Sequence, residues 1–253
     1  MIRSILNVKG GVGKTTTSIQ LAAGFAKSGR KTLLIDADGQ ANATASLLPN
    51  YDPTDPCIVE ALKGLKPIED CIYPSNTENL YVLPARLDLF STIYELQSTT
   101  VSGFPQLILK KILKPLDFEE IIIDNNPSIN LMSINSVLSA RQIIIPTNID
   151  AGGIAGVKAT WDHCRNVIGS LDREEPLDIR ILITMINRNN TDRDIIEQLR
   201  NAYGNRVFTS QIRYQSAPVK RATFSNRLLI DDPKNGVAED YRTLINEVMA
   251  EEN

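Results

Sequence analysis

The chain has 253 residues, a formal net charge of −3, 42% hydrophobic and 23% charged residues. Those are the proportions of a globular protein in water, and the longest apolar runs are strand-length, short of the roughly 18 residues that a membrane-spanning helix needs. Its three cysteines (Cys57, Cys71, Cys164) and single histidine (His163) lack C-x-x-C or helical-turn spacing, which argues against a disulfide framework and a zinc site. The length suits one α/β domain covering residues 1–253. It is expected in the cytoplasm, because the chain enters a strand directly, with no charged and apolar leader. Ile2 to Val8 reads as that strand, and Ile19, Leu21, Ala22, Phe25 and Ala26 recur with helical periodicity. Between them lie Lys9, Gly10, Gly11, Val12, Gly13, Lys14, Thr15 and Thr16. Strand, glycine-rich turn and helix start follow in the order a phosphate cradle needs. The glycines let backbone N–H groups point inward, and the helix beginning near Lys14 adds roughly half a positive charge at its N-terminus. Lys14 supplies a cation for the β and γ phosphates, and the Thr15 hydroxyl can complete the shell of a bridging magnesium ion.

The pattern G-x-x-x-x-G-K-[ST] nevertheless has Val8 at its first glycine, and a second lysine, Lys9, follows. This run resembles the deviant P-loop of the ParA/MinD/nitrogenase-iron-protein ATPases. The resemblance implies a doubly wound, mostly parallel sheet with helices on both faces, and a nucleotide-sandwich dimer in which Lys9 reaches the partner's phosphates. The nucleotide would be ATP with Mg²⁺, contacted by Lys9 through Thr16.

After the first helix, Lys31 to Ile35 reads as a buried strand that ends in Asp36, Ala37, Asp38, Gly39, Gln40, Ala41 and Asn42. Open parallel sheets place their ligands at this end of the strands, so both carboxylates can meet a magnesium ion held by the first turn. A helix N-cap or an Asx turn is the competing use. The family stretch reads Asp-x-Asp-Pro-Gln-Gly-Asn, and by that resemblance Asp36 belongs to the magnesium shell while Asp38 orients or activates the attacking water. Gly39 and Ala41 depart from it. Pro49, Pro53 and Pro56 then break a loop before a short helix, Ile58 to Lys63; Leu80 to Leu83 reads as a strand, and Leu87 to Leu96 and Pro105 to Leu113 as helical.

Phe118 to Asp124 is a strand closed by an acid, which suits a carboxylate holding magnesium through its water shell. The tail Asn125, Asn126, Pro127 and Ser128 departs from the family's Asp-Thr-Pro-Pro or Asp-Cys-Pro-Pro. Gln142 to Pro146 is a further strand, Gly153 to Leu171 a long helix, and Ile179 to Ile186 another strand. In the family, the polar residue after that strand bonds the adenine edge, which would be Asn187 here; a plain loop asparagine is the alternative.

Between Arg180 and Arg227 there are nine basic residues and three acids, a local excess suited to DNA phosphates. ParA-type ATPases that begin at the P-loop bind DNA nonspecifically with this part of the chain. Arg188, Lys220, Arg221 and Arg227 are the candidates, and a solvated basic face is the competing use. Val237 to Asn253 reads as an amphipathic helix with an acidic end. MinD-type relatives finish with a basic membrane-binding helix, so packing on the sheet is expected instead. The resemblance therefore implies a ParA/Soj-like ATPase that segregates a plasmid, chromosome or mobile element. Its partners would be a second copy of itself, DNA and a ParB-like centromere-binding protein that stimulates a slow intrinsic hydrolysis. The alternatives are a MinD-like membrane-associated positioning ATPase, an iron–sulfur reductase, which would need bridging cysteines, and an ATP-binding DNA scaffold with little hydrolysis.

Overall fold

A computed structural model describes residues 1–98, 104–169, 176–187 and 190–251. In chain order, β1 (Ile2–Ile5) leads into α1 (Lys14–Lys27) and β2 (Thr32–Ala37), then α2 (Asn42–Leu47), α3 (Ile58–Lys63), β3 (Tyr73–Pro74) and β4 (Leu80–Leu83). There follow α4 (Leu89–Ser98), α5 (Ile108–Leu113), β5 (Glu120–Asn125), α6 (Leu131–Ser139), β6 (Gln142–Asn148) and α7 (Ala151–Gly169). The chain closes with β7 (Asp178–Ile186), α8 (Asn190–Tyr203), β8 (Val207–Arg213), α9 (Ser216–Phe224) and α10 (Gly236–Ala250).

The strands form one sheet in the order β3-β4-β2-β5-β1-β6-β7-β8. Every neighbouring pair is parallel except β3 with β4. Strands buried on both faces carry apolar runs rather than alternation, which is what Thr32–Ala37 and Glu120–Asn125 show, buried at every position. One face is covered by α1 and α10, where Phe25, Leu21, Tyr241, Leu244 and Val248 meet Ile5, Leu34 and Ile122. The other is covered by α3 to α8 in two adjoining clusters. The doubly wound, mostly parallel architecture expected of the sequence is present.

Beneath the sheet core, Arg3 is fully buried and pairs with Glu120, which also binds Arg30; the Phe25 ring lies under both guanidinium groups. This tie joins β1 to β5 directly below the first turn. β1 is shorter than the sequence suggests. It ends at Ile5, and Leu6 to Val8 climb toward the turn, held by Leu6 N–H to the Ile144 carbonyl (3.0 Å) and Val8 N–H to Thr160 Oγ1 (3.1 Å). The stretch from Pro105 splits into a 3₁₀ turn, Pro105–Leu107, and α5. The long helix expected to reach Leu171 is described as far as Gly169, and Leu171 lies outside the described residues. α10 buries Val237, Tyr241, Leu244, Ile245 and Val248 against the sheet, the packing role expected for the terminal helix. All three cysteines are buried thiols, and no described helix is long and apolar enough to cross a membrane.

Candidate nucleotide site

The sheet order puts the carboxyl ends of β1, β2 and β5 side by side, with Ile5 opposite Asp124 and Asp36 opposite Asp124 in register. That adjacency gathers the first turn and both strand-end acids at one edge. Gly11 and Gly13 have φ of 72° and 86°, a left-handed conformation that a side chain would strain; Gly13 is the residue from which α1 starts. The turn is held from below. Asn7 Oδ1 accepts the Lys9 N–H (2.9 Å), and Thr184 Oγ1 donates to the Val12 carbonyl (3.0 Å) from β7.

Lys14 opens α1 and is nearly buried, with its ammonium donating to the Lys9 carbonyl at 2.9 Å. Burial lowers its pKa, and Asp124 and Asp38 oppose that. Asp124 Oδ1 accepts from Ser18 Oγ at 2.8 Å, while its Oδ2 is buried with no hydrogen-bond partner. Burial raises the Asp124 pKa, the adjacent Asp36 raises it further, and Ser18, Thr15 and Lys14 pull it down. Burial also raises that of Asp36. Two carboxylates this close and this dry favour a shared proton or a cation. An orphaned buried carboxylate oxygen beside the Thr15 hydroxyl and a lysine fits a hydrated magnesium ion carried with a triphosphate. No cluster of three His, Cys, Asp or Glu exists among the described residues, so the phosphates and water must supply much of such a shell.

Asp36 is more committed than its expected role required. Oδ1 accepts the Asp38 N–H (3.1 Å), and Oδ2 accepts both the N–H and the hydroxyl of Thr44 (2.9 and 2.7 Å). Asp38 itself closes an Asx turn, Oδ1 accepting from Gln40 N–H at 3.0 Å, and its Oδ2 has no hydrogen bond among the described residues. The Asx turn weighed for Asp38 is therefore present on one oxygen, and the other oxygen is left without a partner among the described residues. Asn125 is structural: its Nδ2 donates to Ser4 Oγ (2.8 Å) and the Ile5 carbonyl (3.0 Å), bolting β5 to β1.

The Lys9 ammonium does not share the Lys14 position. It donates to Asn148 Oδ1 (2.9 Å) and Asp150 Oδ1 (2.5 Å) at the start of α7, and this cation holds the Asp150 pKa down. Gly152 and Gly156 leave the space its side chain occupies.

Asn187 lies exposed after β7, its N–H donated to Asp192 Oδ2 at 2.7 Å. Arg188 lies outside the described residues. Lys220 and Arg221 on α9, and Arg227 just beyond it, are exposed and form no ion pair among the described residues. Three other arginines of the basic stretch are neutralised: Arg180 by Asp178 and Glu251, Arg206 by Asp178, and Arg213 by Asp240. Among the described residues, the surplus read from the sequence therefore shrinks to Lys220, Arg221 and Arg227 at α9 and to the exposed Arg193 and Arg200 on α8, beside that helix's own acids Asp192, Asp194 and Glu197.

Sequence reasoning missed Ser18, Thr44, Asn148 and Asp150. Asp150 lies two residues beyond the end of β6, after Pro146, Thr147 and Asn148, and so lacked the strand-closing signal of Asp124, while Ser18 follows Lys14 by one helical turn. Thr44 had no local signal, since its role arises only when α2 folds back on β2.

A family model described as an AAA domain matches residues 1–181. The chain is 32% identical over 252 residues to the chromosome partitioning protein ParA of Myxococcus xanthus, covering 97% of this chain and 86% of that one. It is 30% identical over 252 residues to the sporulation initiation inhibitor protein Soj of Bacillus subtilis, covering 98% of each. Among solved structures, the ATP complex of a McdA variant from Cyanothece is similar with a TM-score of 0.85 at 25% identity, covering 98% of this chain and 96% of that one.

Proposed function

The chain belongs to the AAA domain family, as a ParA/Soj-like P-loop partition ATPase, and on that premise we propose an ATP-driven DNA-binding cycle. ATP closes two copies into a dimer, Lys9 of each reaching the other's phosphates, and only the joined pair holds DNA. The 253 residues work as one domain, in the cytoplasm and on the nucleoid. The observation that carries this reading is the separation of the two lysines: Lys14 sits over the turn, while the Lys9 ammonium is held at Asn148 and Asp150.

Bound magnesium would neutralise the β and γ oxygens; Thr15 would hold it directly, and Asp36 and Asp124 through its water shell. The backbone N–H groups of Gly10 through Thr16 cradle the phosphates, and Asn187 bonds the adenine edge. The free oxygen of Asp38 orients a water whose oxygen attacks the γ-phosphorus as the bond to the bridging oxygen breaks, and it takes the proton that the water loses. Lys14 and the partner's copy of Lys9 stabilise the charge that develops. A cation completed only by a partner resembles an arginine finger, worth about 10³-fold or more in rate. Intrinsic turnover is therefore slow, and a ParB-like partner stimulates it and releases the DNA.

Lys220, Arg221 and Arg227 make the nonspecific DNA face, and Arg188, earlier in the same basic stretch, is a fourth candidate contact. The burial of α10 against the sheet weighs against the MinD-like membrane alternative. The test is DNA binding at graded salt with ATP, ADP or no nucleotide, on wild type and Lys9→Ala. Tight, salt-sensitive binding with ATP alone, lost in the variant, is expected; equal binding without nucleotide would overturn the cycle.

A further inference from the structure

The turn that carries Asp38 is strained and is braced from one side. Ala41 has φ of 55°, a left-handed conformation that costs a residue with a Cβ of order 1 kcal/mol and persists only where the surroundings enforce it. Hydrogen bonds fix part of the turn: Ala41 N–H to the Asp38 carbonyl (2.9 Å), and Asp38 N–H to Asp36. Gly39, between these anchors, is buried and does not have a positive φ. Its missing side chain therefore serves space and not backbone geometry. A Cβ there would lie 2.7 Å from Cε2 and 2.8 Å from Cδ2 of Phe90. The Phe90 ring fills the place where that side chain would be.

Phe90 belongs to α4, whose adjoining side is anchored in the core through Leu89, Thr92 and Ile93. The same corner touches the acids a second time, since Ala85 N–H donates to Thr44 Oγ1 (3.0 Å), which donates in turn to Asp36. Yet Phe90 is 41% exposed, so core burial alone does not account for an aromatic ring at this position. Its contact with Gly39 does.

We propose that Phe90 is a positioning residue for ATP hydrolysis: its ring, seated on Gly39, holds the Asp38–Ala41 turn so that the free oxygen of Asp38 faces the attacking water. This rests on the role assigned to Asp38 above. Removing the ring leaves the phosphate cradle intact and lets the turn relax out of its left-handed form, which misplaces Asp38.

The experiment is single-turnover hydrolysis of Mg-ATP, with the affinity for Mg-ATP measured separately, on wild type, Phe90→Ala, Phe90→Leu, Gly39→Ala and the double variant. Phe90→Ala is expected to slow the step about tenfold or more, the scale of a small misplacement of a catalytic group, with affinity within about twofold of wild type. Phe90→Leu recovers most of the rate. Gly39→Ala alone also slows it, because its methyl meets the ring, but adds nothing in the Phe90→Ala background, where the space is free. An unchanged rate in Phe90→Ala, a parallel loss of rate and affinity, or additive effects in the double variant would overturn the proposal. If Gly39→Ala fails to fold, the two Phe90 variants decide alone. Absence of turnover in the wild type would instead sink the hydrolytic reading itself.

Discussion

Replacing Lys9 by alanine separates what this side chain does in one chain from what it does between two. In the single chain it makes an ion pair with Asp150, with side chains 26% and 56% exposed, and a hydrogen bond to Asn148. Such a part-exposed pair is worth about 0–1 kcal/mol. Its loss orphans nothing buried, because Asn148 Nδ2 still donates to Asp150 (2.7 Å) and Gly153 N–H still caps it (2.6 Å). The thermal midpoint should therefore fall by only about 0–4 °C for a chain of this size. Affinity for nucleotide in the monomer should hold, since Lys14 and the backbone of the turn remain. Turnover should drop about 10³-fold, or about 4 kcal/mol in barrier. Calorimetry, nucleotide titration and phosphate release measured on one preparation test this. Turnover within about threefold of wild type would refute the in-trans assignment, and so would a stability loss of several kcal/mol large enough to explain the kinetics by unfolding.

The site's surroundings give further outcomes. In Gly153→Ala the new methyl would overlap the Asn148 backbone carbonyl, which cannot rotate away, so chemical denaturation should show a loss of about 1–3 kcal/mol. His163 is the only histidine, its Nε2 lies 3.2 Å from Ser133 Oγ, and burial lowers its pKa from 6.5. Its single ring resonance should titrate below that value. Because the unfolded chain then binds the proton first, His163 should destabilise the fold as pH falls below about 6.5; a midpoint above 6.5 would contradict the burial argument. Changing Lys220, Arg221 and Arg227 together to alanine should lower the log–log salt slope of ATP-dependent DNA binding by about three; an unchanged slope would move the interface elsewhere.

Most of the nucleotide site was legible because its signals are local. A strand, two positive-φ glycines and a helix start lie within one short stretch, and apolar runs closed by acids mark β2 and β5. What escaped depends on tertiary packing. β8 reads Val-Phe-Thr-Ser-Gln-Ile-Arg and is held at the sheet edge by Glu247, which accepts the N–H groups of Thr209 and Ser210 (2.7 Å each). α9 buries no residue, so it has no apolar period to read. Charge counting overstated the basic surface for a similar reason: Asp178, Asp240 and Glu251, which neutralise its arginines, lie outside the stretch counted. The Gly39 and Ala41 departures gave no loop conformation in sequence. In space Phe90 occupies the room that Gly39 leaves, and the turn is braced.

The direct measurement of the central claim is the mass of the wild-type particle by sedimentation in saturating Mg-ATP, in Mg-ADP and without nucleotide. A shift from one chain to two with Mg-ATP alone is predicted. A particle that stays single with Mg-ATP, or is already double when empty, would contradict it.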